Sequence, residues 1–389
     1  MRLPPHRFEE RELWKAMAVI PDPRPLALAL ASIPDRMLAV IYHGQNDMRL
    51  ETVPVPGIGA GELLVRIHTC GICGTDLKKI STGSHSAPRV FGHEMSGVVV
   101  ACGAGVRKFA EGDRVMVFHH IPCGHCYYCE RKVFSQCPVY KRVGTTAGFG
   151  EPSGGGFAEY IRVMDWIVDR GVIAIPDAVS FEQASYIEPV NTVSKGIQTL
   201  AVQKGETILV IGQGPIGLML GVLAQRAGAN VITSDLFPQR LTIGQHYGLT
   251  ESVDASQRDV VQAIREKTGG RGADAVILAV GGSSLIGTAI DAARFGGRIL
   301  LFAQTVRGEV RIDPASVCVD EKTLLGSYSA SVELNEEVAE FVFSGAMDLA
   351  GLFSHRFPLA QSLEALKLAA HPQPDTMKIA IQPGSVWEG

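Results

Sequence analysis

ETILVIGQGPIGLMLGVLAQRAGANVITSDLF, residues 206–237, runs from an apolar strand into Gly212-x-Gly214-x-x-Gly217, then an amphipathic helix, then a second strand ending at Asp235. A bare G-x-G-x-x-G is a weak signal. Here a strand precedes it, a helix follows it, and an acid stands 18 residues after the last glycine, which completes a dinucleotide-binding context. In this reading Gly212 makes the tight turn and Gly214 lets the backbone approach a pyrophosphate. Pro215 and Ile216 open the helix, and Gly217 lets that helix pack on the strand. The Asp235 carboxylate would accept from the adenosine ribose hydroxyls and repel a 2′-phosphate, so NAD is expected over NADP, with Arg240 near enough to work against that preference. A Rossmann-like domain that binds no nucleotide is the competing reading.

Downstream the alternation continues with ADAVILAV (273–280), a helix over about 284–294, GRILLFAQ (297–304) and KTLLGSYS (322–329). These strands are nearly continuous apolar runs, as expected of parallel strands covered on both faces, and they predict a doubly wound sheet.

Upstream the texture changes. CGHCYYCERKVFSQC, residues 123–137, spaces Cys123, Cys126, Cys129 and Cys137 as C-x2-C-x2-C-x7-C. A disulfide framework does not suit a chain of 389 residues with a 46% apolar fraction and no usable secretory signal. Four thiolates so placed can wrap one tetrahedral zinc ion, and a site closed in this way fixes a lobe and binds no substrate. A nucleic-acid zinc ribbon fits poorly, since Arg131 and Lys132 are the only basic residues inside the segment. Reduced buried thiols remain the bland alternative.

A catalytic metal therefore needs other ligands. TCGICGTDLKK and FGHEMSGVVVACGAGVRKFAEGDRV bring Cys73, His93 and Glu94, one soft, one borderline and one hard donor, each close to a glycine. Asp76 can accept the free ring N–H of His93 and fix its tautomer. The charges nearly balance, 36 basic against 40 acidic, which gives no footprint for nucleic acid or an anionic membrane surface. No apolar stretch is long enough to span a bilayer as a helix, and the expected setting is the cytoplasm.

Together these blocks resemble the zinc-containing medium-chain alcohol dehydrogenase superfamily over about residues 37–389. Gly92, His93, Glu94, Gly97, Gly103 and Val106 stand where that family's zinc signature wants them. The resemblance implies a GroES-like catalytic domain, 37–186 plus 330–389, around a Rossmann NAD-binding domain, 187–329. It also implies a homodimer or homotetramer acting on a small-molecule alcohol. Residues 1–36 fall outside it and read as a flexible extension, with Met37 a candidate start. Alcohol dehydrogenases in the narrow sense place a cysteine ligand where this chain has Glu188-Pro189. Glu-Pro at that point resembles the sorbitol, L-iditol and threonine dehydrogenase-like branches. Two positions depart from the pattern. A histidine that often ends the proton relay is Lys78 here, and an Arg-Tyr pair that grips polyols is Ser327-Tyr328.

The expected activity is oxidation of a secondary alcohol, within a polyol or cyclitol, to a ketone by NAD and zinc, with two zinc ions per chain. L-threonine 3-dehydrogenase or aminocyclitol dehydrogenase activity is the alternative, and a non-catalytic zinc-stabilised binding protein a distant one. Zinc held by Cys73, neutral His93 and Glu94 would be formally neutral and still polarise an alcohol oxygen. Thr75 is placed to take the alcohol proton, and Glu188 is expected to exchange with water at the metal.

Overall fold

The computed structural model describes residues 33–149, 154–303 and 308–384. Most of the expected N-terminal extension, residues 1–32, lies outside them, as do residues 385–389 of the tail.

The run Thr207–Ile211 is wholly apolar after its first residue and sits at the centre of a six-stranded parallel sheet. Its neighbours are Asn230–Asp235 and then Glu251–Asp254 on one side. Ala273–Leu278, Ala293–Leu301 and Thr323–Gly326 follow on the other. Numbered within this sheet the order is 3-2-1-4-5-6, so the topology reverses between Thr207–Ile211 and Ala273–Leu278, and a crevice opens beyond their carboxyl ends. The glycine-rich turn sits at that reversal. Gly212 has φ +93°, a left-handed conformation that a side chain would strain, and a Cβ on Gly217 would lie 1.8 Å from the Gly212 carbonyl oxygen. The helix Pro215–Arg226 then starts with proline in its first turn, where no intrahelical N–H is needed.

Three observed strands stop short of the apolar patterns that announced them. ADAVILAV leaves the sheet after Leu278, GRILLFAQ after Leu301, and KTLLGSYS after Gly326. The helix before the second of these is Leu285–Ala292, and its strand begins directly at Ala293.

The second unit is β-rich. Phe353–Pro358, Lys378–Gln382, Leu63–Gly71, Glu94–Cys102, Arg114–Val117 and Val172–Ala174 form the main path of an eight-stranded sheet. Tyr160–Val163 pairs with Leu63–Gly71 from the side. The last strand returns from the far end of the chain, with Ala380 opposite Gly71 and Ile381 opposite Cys70. One apolar core fills this unit around Tyr42, Phe91 and Phe157. Another runs through the seam, where Met116 and Phe353 join a cluster with Ile208 and Leu220 of the parallel sheet. No described helix is long and apolar enough to cross a membrane.

Candidate active site

Cys73 is the N-cap of the helix Gly74–Thr82, whose first turn places Asp76 beneath it. Asp76 is fully buried and is used at both oxygens. Oδ2 accepts the Cys73 N–H at 3.2 Å, and Oδ1 lies 3.1 Å from His93 Nδ1. Burial pushes this carboxyl up, but His93 and Lys79 outweigh it and hold it below the usual range. The imidazole is thereby oriented with Nε2 turned toward Cys73. Glu94 opens the strand Glu94–Cys102 beside it.

The donor atoms of Cys73, His93 and Glu94 all lie within 4.8 Å of one another, close enough to share one ion. Thr75 sits over this group, its hydroxyl donating to Cys73 Sγ at 3.2 Å and standing 3.4 Å from His93 Nε2. Glu188 is not among the three. It lines the same cavity from the first turn of the helix Ile187–Leu200, with Thr192 Oγ1 3.5 Å from its Oε1. Burial pushes its carboxyl up to about 7; His93 and Lys378 pull it down, while Glu94 and Asp76 push it further up.

Sequence reasoning missed Lys378. Its ammonium contacts Glu94 Oε2, and both side chains are buried. Burial lowers the lysine pKa, but Glu94, Cys73 and Glu188 outweigh that and raise it, so the group is charged. The ammonium offsets one of the two negative charges of the three-residue donor set. Glu94 Oε1 has no hydrogen-bond partner, as suits a carboxylate oxygen kept for a metal ion.

The cavity around these residues measures about 490 Å³. One wall comes from the helix Pro215–Arg226 and from the segments that follow two strands of the parallel sheet: Ile216, Ala279, Val280, Gly281, Phe302 and Ala303. The opposite wall carries Lys78 and two further residues that sequence reasoning missed, His119 and His120. Their rings continue from His93 in a tilted row, His93 to His119 at 4.7 Å and His119 to His120 at 3.8 Å between centroids. Burial lowers both pKa values, that of His120 to about 3, so both imidazoles are neutral. The Nδ1 atom of each, and the hydroxyl of Ser327 across the cavity, are buried without a partner. The signal for them in the sequence was the pair FHH just ahead of the cysteine cluster.

In the lobe, Cys126 Sγ is 3.5 Å from Cys129 Sγ, and Cys123 Sγ is 3.7 Å from Cys137 Sγ and 3.9 Å from Cys129 Sγ. Thiolates about 2.3 Å from a tetrahedral zinc stand roughly 3.8 Å apart, so the four sulfurs are spaced for the ion and not for disulfides. Burial pushes the Cys137 thiol up, but hydrogen bonds led by the Cys123 N–H hold it down to about 6.

On the nucleotide side, Asp235 ends its strand with Oδ2 accepting from Gln213 N at 2.7 Å and Oδ1 from Phe237 N at 2.9 Å. The carboxylate thus braces the turn made by Gly212, Gly214, Pro215 and Gly217. Arg240 reaches to 3.9 Å of Asp235, yet its Nη2 is tied to the Thr376 carbonyl at 3.0 Å.

Residues 59–177 match the alcohol dehydrogenase GroES-like domain, and residues 215–344 match the zinc-binding dehydrogenase family. L-threonine 3-dehydrogenase from Chelativorans sp. (strain BNC1) is 32% identical over 80% of this chain and 89% of its own. Sorbitol dehydrogenase from Bacillus subtilis (strain 168) is 28% identical over 90% of this chain and 99% of its own. Among solved structures, a putative zinc-binding dehydrogenase from Sinorhizobium meliloti 1021 bound to NADP superposes with a TM-score of 0.80 at 28% identity. That match covers 90% of this chain and 100% of the other.

Proposed function

The chain belongs to the zinc-type medium-chain alcohol dehydrogenases, in the sorbitol dehydrogenase-like branch, and from that premise we propose that it oxidises a secondary alcohol within a polyol or cyclitol to a ketone. As a member it is a zinc-dependent oxidoreductase that uses a nicotinamide cofactor. The observation that carries the substrate class is the cavity, which the donor set lines together with His119, His120, Thr192, Ser327 and Tyr328. A ligand bearing several hydroxyls supplies donors and acceptors for a pocket with polar side chains of this kind.

We assign catalytic zinc to Cys73, His93 and Glu94, with Glu188 as an exchanging fourth group, and structural zinc to Cys123, Cys126, Cys129 and Cys137. When bound, zinc supplies Lewis-acid polarisation of the alcohol oxygen, and the nicotinamide supplies the hydride acceptor. The chain's own part is positional. Asp76 fixes the His93 tautomer, Lys378 limits the negative charge of the donor set, and Thr75 Oγ1 holds the alcohol proton as it leaves. The apolar wall about Ile216 and Phe302 takes the nicotinamide and excludes water. With Arg240 tied to Thr376, the Asp235 carboxylate governs the ribose end and favours NAD.

The division into 37–186 with 330–389, and 187–329 between, is supported by the return of Lys378–Gln382 to the strand Leu63–Gly71. A homodimer or homotetramer is supported by Thr323–Gly326 at the open edge of the parallel sheet, near Phe295 and Val319, each 76% exposed. Eight unpaired cysteines accord with a reducing cytoplasm.

Lys79 and Glu188 on the cavity wall favour a second reading, in which a zwitterionic L-threonine or an aminocyclitol is the substrate. NAD reduction measured at one pH across sorbitol, iditol, inositols, an aminocyclitol, L-threonine and primary alcohols decides. Preference for ethanol-like primary alcohols overturns the polyol reading, and preference for L-threonine promotes the second.

A further inference from the structure

Two residues of the alcohol-facing wall, His120 and Ser329, meet on a side chain that does not itself line the cavity. Tyr140 is rooted in the cysteine lobe, where it packs with Cys129, Phe134 and Cys137 and is 4% exposed. Its ring stacks on His120 at 4.6 Å between centroids and 19° between planes. Its phenol oxygen lies 2.8 Å from Ser329 Oγ, and the hydroxyl donates to the Ala330 carbonyl at 3.4 Å. Burial raises the phenol pKa far out of the physiological range, so it stays a neutral donor.

Ser329 holds φ +63°, a left-handed conformation that residues other than glycine adopt only when their surroundings impose it. The surroundings do so from two sides. Lys195 Nζ donates to the Tyr328 carbonyl at 2.8 Å, and Asn191 bonds both the N–H and the carbonyl of Ser331. Both residues belong to the helix Ile187–Leu200. Tyr140 supplies the opposing hold, from the lobe. The lobe also meets this region through Val332, packed against its apolar cluster, and through the ion pair of Lys132 with Glu333, which is exposed and screened by solvent.

We infer that Tyr140 is a positioning residue that ties the cysteine lobe to the alcohol-binding wall, fixing the His120 ring and the Ser327–Ser329 segment together. The lobe on this account sets substrate affinity as well as local stability. This rests on the cavity being the alcohol site, and the test separates the two claims.

Tyr140→Phe keeps the ring stack and the lobe packing and removes only the hydroxyl. Ser329→Ala removes the other half of the contact. In zinc-loaded enzyme, each single variant is expected to raise KM for the best alcohol in the substrate screen about three- to tenfold, the weight of one buried hydrogen bond. The double variant should go no further than Tyr140→Phe, which already removes the contact with Ser329 along with the bond to the Ala330 carbonyl. kcat should stay within about twofold and KM for the cofactor should hold, since a remote wall binds ground and transition states alike. Amide hydrogen exchange across 327–331 should quicken in Tyr140→Phe while that of Thr207–Ile211 does not. A melting temperature that falls with both KM values moving together marks a merely structural tyrosine and overturns the inference. Unchanged exchange at 327–331, or effects that add in the double variant, overturn it equally. If instead no polyol is turned over, the polyol reading fails in the screen while hydrogen exchange still judges the Tyr140 contact.

Discussion

Removing the Lys378 ammonium without changing its bulk tests how the donor set balances its charge. The Lys378 and Glu94 side chains are 7% and 2% exposed, so neither is stabilised by water to any useful degree. Opposite charges in contact attract by about 4 kcal/mol at an effective dielectric constant near 20. Lys378→Met leaves a buried carboxylate whose other oxygen already lacks a partner, and breaking one side of such a pair costs about 3–5 kcal/mol. The raised lysine pKa sets the window: the ammonium's contribution is fully present below the ordinary value of 10.5 and is lost only as pH rises through the higher folded value. Urea unfolding at neutral pH, followed by circular dichroism, therefore reads the whole effect.

The comparison of metal-free with zinc-loaded protein carries the argument further. If Glu94 ligates zinc, the ion replaces the lost ammonium as countercharge, and Lys378→Met should cost less than about half as much in the loaded protein. Glu94→Gln with Lys378→Met should lie closer to wild type than Lys378→Met alone, because no uncompensated charge remains. A metal-free loss below about 1 kcal/mol would refute the charge argument. Equal losses with and without zinc would remove Glu94 from the ligand set.

Three further outcomes follow from the geometry. Asp235→Ser should raise the NADP-to-NAD ratio of kcat/KM at least about tenfold and weaken both cofactors, since the carboxylate also braces the turn at Gln213; a wild-type enzyme that prefers NADP would sink this role. Elemental analysis should find two zinc ions per chain, with Cys126→Ser lowering thermal stability and Cys73→Ser abolishing turnover while the fold persists; one zinc ion in fully active protein contradicts it. Hydrogen bonds from Arg162 hold the Glu62 carboxyl below its usual pKa of 4.5, so its stabilisation is present above that value and lost as pH falls through the folded one. Glu62→Gln should accordingly flatten the acid limb of the unfolding midpoint between about pH 5 and 3, and an unchanged limb would count against the pair.

Residues whose chemistry dictates their type were legible in the sequence. Only thiolates suit a four-sulfur lobe, only glycine suits the turn at Gly212, and Cys73, His93 and Glu94 announce themselves as donors of three kinds. Lys378 did not, because nothing near Glu94 in the sequence points to it. It arrives by strand pairing, through Ala380 opposite Gly71, and its one local signal was a lysine opening the apolar run KIAIQ. His119 and His120 offered only the run FHH, since a histidine declares its role by what surrounds it.

The errors at the strand ends share one cause. In the parallel sheet the apolar patterns at 273–280, 297–304 and 322–329 each run past the strand that forms, and the excess includes Ala279 and Val280, Phe302 and Ala303, and Ser327 to Ser329. All of these line the cavity. At Ala279–Val280 and Phe302–Ala303 a residue lining a cavity is as apolar as one that packs against a helix, so hydrophobic periodicity does not separate sheet from cavity wall, while at 327–329 the pattern has already given way to small polar residues. Backbone pairing does separate them: the regular ladder ends at Leu278, Leu301 and Gly326, and past it only the Ala279 N–H to Ile211 and the Phe302 and Ala303 N–H groups to Leu278 still reach a neighbouring strand among the described residues. Ser329 shows the cost of leaving the ladder in its positive φ. At the carboxyl edge of a doubly wound sheet, the distance by which sequence pattern overruns the strand is therefore itself a marker of the site, and here three neighbouring strands mark the same cavity.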